Sequence, residues 1–585
     1  MKPAPKLAFA GAAFAAALVA AWPASVGHAT VAVAKKKPAS ELREPMIRQM
    51  IVKLRNPKAI ELVEPLGAER VAALSASAGV RMSAFRPMSG NASVLRLERA
   101  MTLTEANAVA ARLANDPNVE YASPDLPVRA YQVPQDASYT TRLWHYYPPT
   151  RTFTADNKTV PATGGANLEG AWAVTRGAST VVVAVIDTGV VSMHPELAGK
   201  LLQGYDFISS NVGIADGVPL NFVAGDNNGR DADPEDVGDW VTAQDKANYP
   251  NFCDDGVAGD TDSSWHGTHM AGTIVGVWNN GVGNPPPPGT STAGIAPDAR
   301  ILPLRALGKC GGQSSDVIDA MRFAVGIPVQ GAGGGLVVNG TPAQIINLSL
   351  GGEGGACSRA YQDAVNDVTA AGALPIAASG NGINGVGIVG ASQPANCSGV
   401  LAVTAHTING DNATYANVGP EIAVSSPGGG TPFVLTSPIA DLDVGYYTWS
   451  SVLFGVTTQD STNPDSTPPN LSGPAIGGFT GTSSATAHVA GVAALLKSAV
   501  PSATPAQLRA FITSTARPHP TGGYCSPGQP GEGLCGAGLL DAAAAMSAAV
   551  PPPPSGGGGG GGALPLWQLL LLAAFGLAAR IRSRS

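Results

Sequence analysis

The sequence predicts an α/β protein: a doubly wound, mostly parallel sheet preceded by a small α+β unit. Three observations predict it. Segments 181–186, 300–305, 344–350, 373–378 and 400–404 are near-continuous runs of Val, Ile, Leu and Ala, the pattern of parallel strands buried on both faces. Helix-compatible segments at 266–278, 314–326, 358–371 and 483–499 are spaced to cross between strands, so the loops at the strand C-termini are expected to carry the site. At 585 residues the chain exceeds one ordinary core, which calls for two or more folded units plus accessory segments.

Taken in order, residues 1–29 read as an export signal. Met1, Lys2 and Lys6 supply a basic start, Leu7 to Trp22 an apolar stretch, and Gly27-His28-Ala29 a small-x-small cleavage site. Residues 30–40 are a flexible lead-in. A cysteine-free α+β unit follows from about 46 to 126. It reads as a strand over Met46 to Leu54, a helix over Glu61 to Ala78 and an alternating strand at 93–97. A second helix over Thr104 to Asp116 is opened by the capping-box pattern Thr102-Leu-Thr-Glu, and Asn118-Val-Glu-Tyr-Ala closes the unit. Residues 126–168, rich in aromatics, proline and threonine, read as a linker.

The far end changes composition abruptly. A Pro/Gly-rich linker spans 548–562, with glycine at every position from 556 to 562. An apolar stretch, 563–579, precedes Arg580, Arg582 and Arg584. Seventeen residues is the lower limit for spanning a bilayer, and the terminal arginines favour the cytoplasmic side. Residues 563–585 are therefore expected to be a transmembrane or sorting tail that engages the membrane at least transiently.

Composition excludes some functions. Charged residues are 13% of the chain, the net charge is −7, and no basic cluster lies in its body, so nucleic acid is not an expected partner. Export places the cysteines in an oxidising compartment, where pairing is the default. Cys253, Cys310, Cys357, Cys397, Cys525 and Cys535 allow fifteen pairings. Pairing sequence neighbours gives 253–310, 357–397 and 525–535. Without a Cys-x-x-Cys, redox catalysis is not expected.

Three small-residue segments carry candidate chemistry. Asp187 ends an apolar strand and precedes Thr188-Gly189; taken alone, it reads as an aspartate capping the next turn. His266 and His269 lie three apart at the start of a helix, but the His-Glu-x-x-His of a zinc helix is absent. Gly267 and its small neighbours suit His266 to an open cleft, which leaves His269 as a packed structural residue. Ser483 follows Gly481-Thr482 and opens an alanine-rich helix, where backbone N–H groups favour a developing anion. The same position suits a simple N-cap, and Ser484 is a rival for that reason. A hydroxyl needs a base to take its proton, and the base needs a carboxylate to hold its tautomer.

These segments, Val-Val-Val-Ala-Val-Ile-Asp-Thr-Gly at 181–189, His-Gly-Thr-His-Met-Ala-Gly-Thr at 266–273 and Gly-Thr-Ser-Ser-Ala-Thr-Ala-His-Val-Ala-Gly at 481–491, closely resemble the subtilisin-like (subtilase) family of serine proteases. The resemblance extends from about 134 to 547 and implies a subtilisin-like peptidase domain there. It implies Asp187, His266 and Ser483 as a catalytic triad. Ala377-Ala-Ser-Gly-Asn381-Gly resembles the oxyanion segment, implying the Asn381 side chain and the Ser483 N–H as donors. Residues 345–352 resemble the substrate-pairing strand, with Ser349, Leu350 and Gly351 at the primary pocket wall. Two positions depart from the pattern: Ser484 stands where the family has Met, and Ala487 where it has Pro.

The resemblance further implies a propeptide over 30–133, whose 46–126 unit acts as an intramolecular inhibitor and folding template. The expected product is a secreted or cell-surface serine-type endopeptidase that acts on protein and peptide substrates and is made as a self-processed zymogen. No cofactor is expected for the chemistry. Asp226, Asp231, Asp233 and Asp236 crowd one loop without an Asp-x-Asp-x-Asp-Gly pattern; they read as a solvated acidic loop or, given relatives' use of calcium, as a candidate structural Ca²⁺ site. A catalytically silent adhesion protein would be expected to lose a triad member, and none is missing. An α/β-hydrolase esterase would show Gly-x-Ser-x-Gly and the order Ser–Asp–His, whereas Ser483 comes last. The Thr-, Ser-, Pro- and Asp-rich insertion at 431–475 has no placement from sequence.

Overall fold

A computed structural model describes residues 47–55, 65–88, 92–125, 133–155, 158–208, 222–226, 228–253, 259–280, 292–352, 355–382, 386–431, 448–454 and 473–550. The expected export signal, the 563–579 tail and most of the 431–475 insertion lie outside these residues. Among the described residues no helix is long and apolar enough to cross a membrane.

The first unit runs β1 (Ile47–Leu54), α1 (Ala68–Ala78), β2 (Met82–Met88), β3 (Ala92–Met101), α2 (Leu103–Ala114) and β4 (Val119–Pro124). Its four strands are ordered β2-β3-β1-β4, and the pairs β2/β3, β1/β3 and β1/β4 are antiparallel. Thr102 and Glu105 form the capping box that opens α2. Helix α1 begins at Ala68, well after Glu61, because Gly67 takes the extended N-cap conformation there. The strand β2 escaped the sequence reading. It is an edge strand carrying Pro87, where alternation is weak and proline is tolerated.

Residues 136–172 correct the linker expectation. They form α3 (Ala137–Thr141), the hairpin β5 (Thr152–Ala155) and β6 (Lys158–Pro161), and α4 (Leu168–Trp172). Tyr139, Trp144, Tyr146 and Tyr147 are each at most 2% exposed inside the main core. Their aromatic content marked buried surface, with the hydroxyls partnered: Tyr146 donates to the Ala293 carbonyl at 2.8 Å and Tyr147 to that of Tyr139 at 2.8 Å.

The sheet then develops as β7 (Val182–Asp187), β8 (Tyr205–Asp206), α5 (Ala243–Asn248), α6 (Pro250–Cys253), α7 (His266–Val275), β9 (Arg300–Arg305), α8 (Ser314–Ala324), β10 (Val329–Gln330), β11 (Leu336–Val337), β12 (Ile345–Leu348), α9 (Arg359–Ala370), β13 (Leu374–Ala378), β14 (Leu401–His406) and β15 (Ile422–Pro427). The ribbon β16 (Thr448–Phe454) and β17 (Gly473–Phe479) flanks the insertion, and α10 (Thr482–Ala499), α11 (Pro505–Ser514) and α12 (Ala542–Ala549) complete the domain. Seven strands in the order β15-β14-β13-β12-β7-β9-β8 form one sheet, and every neighbouring pair is parallel.

Along β7 the side chains divide between two cores. Val183 and Val185 join the cluster containing α7 and α10, while Val182, Ala184 and Ile186 join the one containing α8 and α9. That division is why the strand sequence shows no polar alternation. Disulfides join Cys253 to Cys310, Cys357 to Cys397 and Cys525 to Cys535.

Candidate active site

Asp187 is the last residue of β7, so its carboxylate stands at the C-terminal edge of the sheet with its side chain fully buried. Oδ1 accepts from the Thr188 N–H at 2.8 Å and lies 2.7 Å from His266 Nδ1. The contact is possible because α7 enters very close to the end of β7. A Cβ on Gly267 would sit 2.1 Å from the Gly189 carbonyl oxygen and 3.1 Å from Asp187 Cβ. Only glycine permits that approach.

Trp265, the residue before the imidazole, is 3% exposed and has φ 52°, in the left-handed region that costs a bulky residue energy. Its ring packs on Val191, which anchors the turn that aims His266. The His266 side chain is 22% exposed, so the ring edge away from Asp187 reaches solvent. Burial pulls its pKa down, but the Asp187 carboxylate, with Asp239 and Asp236 beyond it, outweighs burial and raises it above the usual imidazole value. His269, on the same helix, is fully buried and stacks on Phe479 at 4.0 Å with a 5° interplanar angle. It is a packing residue, pushed down to about 3 mainly by burial.

Ser483 lies in the first turn of α10 and is half-buried. Its hydroxyl donates to the Ser349 main-chain oxygen at 2.9 Å, and the Ser349 hydroxyl donates to the Ser483 main-chain oxygen at 2.9 Å. Asn347 Nδ2 donates in turn to Ser349 Oγ at 3.0 Å. Since β12 neighbours β7 and α10 packs on α7, the hydroxyl belongs to the same sheet edge as Asp187 and His266. Ser484, the rival, is 1% exposed and faces the interior.

Asn381 is exposed, and its Oδ1 accepts from both the N–H and the hydroxyl of Thr482, at 2.9 and 2.8 Å. With Oδ1 held by Thr482, the amide nitrogen is the end of the side chain that can donate. Ser349, Leu350 and Gly351 come just after β12, which ends at Leu348; Ser349 is 3% exposed and Gly351 is exposed.

The four carboxylates singled out as a metal site do not converge. Asp226 pairs with Arg305 at 2.7 Å, and Asp231 accepts from Asn228 Nδ2 at 2.8 Å. Asp233 accepts from the Glu235 N–H at 3.1 Å, and Asp236 accepts from the Thr188 hydroxyl at 2.6 Å. Among the described residues no group of three or more His, Cys, Asp or Glu is arranged to hold a metal. Spacing along an acidic loop gave no information on these separate partners. Sequence reading also missed Glu196, which is fully buried. Its Oε1 accepts from Asn280 Nδ2 and the Thr292 N–H at 2.9 and 3.1 Å. Glu196 Oε2 and the Thr292 hydroxyl are buried with no hydrogen-bond partner among the described residues.

Comparisons with known proteins bear on this geometry. A model of the subtilase family matches residues 178–538. The chain is 37% identical over 476 residues to an extracellular protease of Xanthomonas campestris pv. campestris, covering 81% of this chain and 67% of that protein. It is 32% identical over 442 residues to an extracellular basic protease of Dichelobacter nodosus, covering 75% of this chain and 61% of that one. The match thus spans about two thirds or less of these relatives. A solved structure of proteases from Pseudoalteromonas arctica aligns with TM-score 0.54 and 37% identity, covering 72% of this chain and 100% of that one.

Proposed function

Because the chain belongs to the subtilase family, we propose that it is an extracellular serine endopeptidase that cleaves proteins through Asp187, His266 and Ser483 and an acyl-enzyme intermediate. One observation carries the reading: the buried Asp187 carboxylate lies 2.7 Å from His266 Nδ1 at the sheet edge where Ser483 opens a long helix. The carboxylate fixes the tautomer with Nδ1 protonated, leaving Nε2 as the base. His266 takes the Ser483 proton as the hydroxyl attacks the scissile carbonyl, then returns it to the leaving amine. The oxyanion is met by the Ser483 N–H and the Asn381 amide, a donor whose loss typically costs about 10²–10³ in turnover. Substrate pairs in extended form beside Ser349, Leu350 and Gly351. Extracellular action is supported by the names of the two relatives.

The 46–126 unit is proposed as an inhibitory prodomain removed by self-cleavage. Gln135 and Asp136 are bonded to Asn279, at 2.6 Å and 3.0 Å, and Tyr139 is 2% exposed. The cut is therefore expected at 127–134, before these residues. N-terminal sequencing tests this, and a mature start before 127 or after 135 refutes it.

The family's use of structural calcium fits Glu196 better than the acidic loop. Its buried, unpaired Oε2 and the unpaired Thr292 hydroxyl offer hard oxygen to a cation. A bound cation there would brace the segment between Pro195 and Thr292 without entering the chemistry.

The decisive experiment is mass spectrometry of a peptide library incubated with the wild-type protein and with Ser483→Ala. Cleavage by the first alone is expected; equal cleavage by both overturns the proposal.

A further inference from the structure

Two carboxylates outside the Asp187–His266 pair reach the backbone on either side of the imidazole. Asp239 accepts from the Ser264 N–H at 2.6 Å and from its hydroxyl at 2.7 Å. The Ser264 oxygen then accepts from the His266 main-chain N–H at 3.3 Å. Asp236, 4% exposed, accepts from the Thr188 hydroxyl at 2.6 Å and from the Gly238 N–H at 2.9 Å. The Thr188 oxygen accepts from the Gly267 N–H at 3.0 Å.

Both recipients are first-turn N–H groups of α7, which have no intrahelical acceptor. In each case a hydroxyl whose proton is committed to a carboxylate has only its lone pairs to offer the helix. The arrangement is directional, and it brackets His266 on both sides.

We propose that Asp236 and Asp239 are positioning residues for His266: through Thr188 and Ser264 they fix the first turn of its helix, and their negative charge favours the imidazolium formed when the base takes a proton. The inference rests on the hydrolytic reading above.

The groups facing His266 are Asp187 from β7, Asp236 and Asp239 from the segment before α5, and His269 one turn along α7. Phe479 from β17 lies 6.2 Å away and is uncharged. Arg305 of β9 faces Asp236 and partly offsets it. Burial first, then repulsion from Asp239, raises the pKa of Asp236; burial raises that of Asp239. Both therefore give up their charge more readily than an exposed aspartate does as the pH falls. Removing one charge makes the other easier to form, so each single variant partly compensates.

The test is the pH dependence of kcat/KM for Asp236→Asn, Asp239→Asn and the double variant on a peptide amide substrate. Asparagine keeps an acceptor and removes the charge. The acid limb is expected to move to lower pH in each variant, and by about half to one unit in the double. A limb coincident with wild type in the double variant, with only thermal stability lowered, overturns the electrostatic role. Ser264→Ala removes the clamp and leaves both carboxylates in place, so kcat is expected to fall about three- to tenfold; an unchanged kcat overturns the clamping role. Where a carboxylate variant fails to fold, Thr188→Val supplies the second clamp measurement on the Asp236 side, with the same expected fall in kcat and the same overturning result. If Ser483→Ala cleaves as well as wild type, the hydrolytic reading fails rather than this one.

Discussion

Ser349 and Ser483 exchange two hydrogen bonds, each hydroxyl donating to the other's main-chain oxygen at 2.9 Å. One of them occupies the proton that the proposed nucleophile must give to His266, so it has to break before attack. The other holds the backbone of Ser483 to the end of β12. The two have opposite consequences, and a single substitution separates them.

Ser349→Ala keeps the carbonyl that receives the Ser483 proton and removes the hydroxyl that holds the Ser483 backbone. It also leaves Asn347 Nδ2 without its acceptor. A hydrogen bond of this kind is worth about 0.5–1.5 kcal/mol, so kcat/KM is expected to fall about three- to tenfold. Steady-state kinetics on a peptide amide check this, and a faster variant would mean that the Ser349 hydroxyl restrains the enzyme.

Gly267→Ala tests how closely α7 must approach β7. The new methyl would meet the Gly189 carbonyl oxygen at 2.1 Å, a clash with backbone that no rotamer relieves. Helix movement follows, at a cost of about 1–3 kcal/mol. It also opens the Asp187–His266 contact, and displacement of about 1 Å at such a site costs on the order of 10²-fold in rate. Turnover and melting temperature should both fall; unchanged turnover would show that the 2.7 Å pair is not what sets the rate.

Much of the fold is legible in the sequence. Strands buried on both faces announce themselves as unbroken Val, Ile, Leu and Ala, and β7, β9, β12, β13 and β14 fall within or close to the predicted runs. The edges were silent for a physical reason. β8 is two residues long and β15 reads Ile-Ala-Val-Ser-Ser-Pro, so neither has the length or the apolar continuity that gave the central strands away. The Asp187, His266 and Ser483 segments stood out because close backbone approach demands glycine and small residues beside them. Asp239, Ser264 and Glu196 did not, because a carboxylate's role depends on what folds onto it. The acidic loop illustrates the same point. Four aspartates in a short span looked like one site, yet Asp226 pairs with Arg305, Asp236 accepts from Thr188, and Asp226 and Asp231 share Asn228.

Glu196 gives a prediction about cations. Burial pushes its pKa up to about 8, so near neutrality a large share of the carboxyl stays protonated unless a cation compensates it. Added calcium is expected to raise the melting temperature of Ser483→Ala, used to avoid autolysis, and a chelator to lower it. Glu196→Gln should abolish the difference. An identical midpoint with and without chelator counts against a cation at this carboxylate.

Disulfide removal should follow loop length if the bridges act on the unfolded chain. Cys253–Cys310 closes 57 residues, Cys357–Cys397 closes 40 and Cys525–Cys535 closes 10. The chain-entropy relation gives about 4.2, 3.9 and 2.7 kcal/mol respectively. Paired Cys→Ser variants, each made in the Ser483→Ala background and unfolded with denaturant, test the order. A bridge of 10 residues that proves the most costly to remove would place its effect in the native state, around its contacts with Val418.

The protein's acid sensitivity takes its sign from the buried histidines. His269 and His406 are pushed down to about 3 and His488 to about 4, in each case chiefly by burial, and His145 lies well below its usual value for the same reason. His145 and His488 touch ring to ring, Nδ1 to Nε2, at 2.7 Å, and His488 Nδ1 donates to the Ser484 carbonyl at 2.7 Å, directly behind the proposed nucleophile. Unfolded, each would protonate near 6.5. Stability from these groups is thus complete above pH 6.5 and lost as pH falls toward 4, by about 1.4 kcal/mol per pH unit per histidine. Glu196, raised to about 8 when no cation compensates it, works the other way, its contribution fading as pH rises from about 4.5 to 8. Stability of Ser483→Ala should therefore fall steeply between pH 6.5 and 4.5, with a slope exceeding that of a single titrating group. Denaturant midpoints across that range check it, and His406→Gln should flatten the slope by about one group. A midpoint independent of pH over those two units would mean the histidines are reached by protons without unfolding.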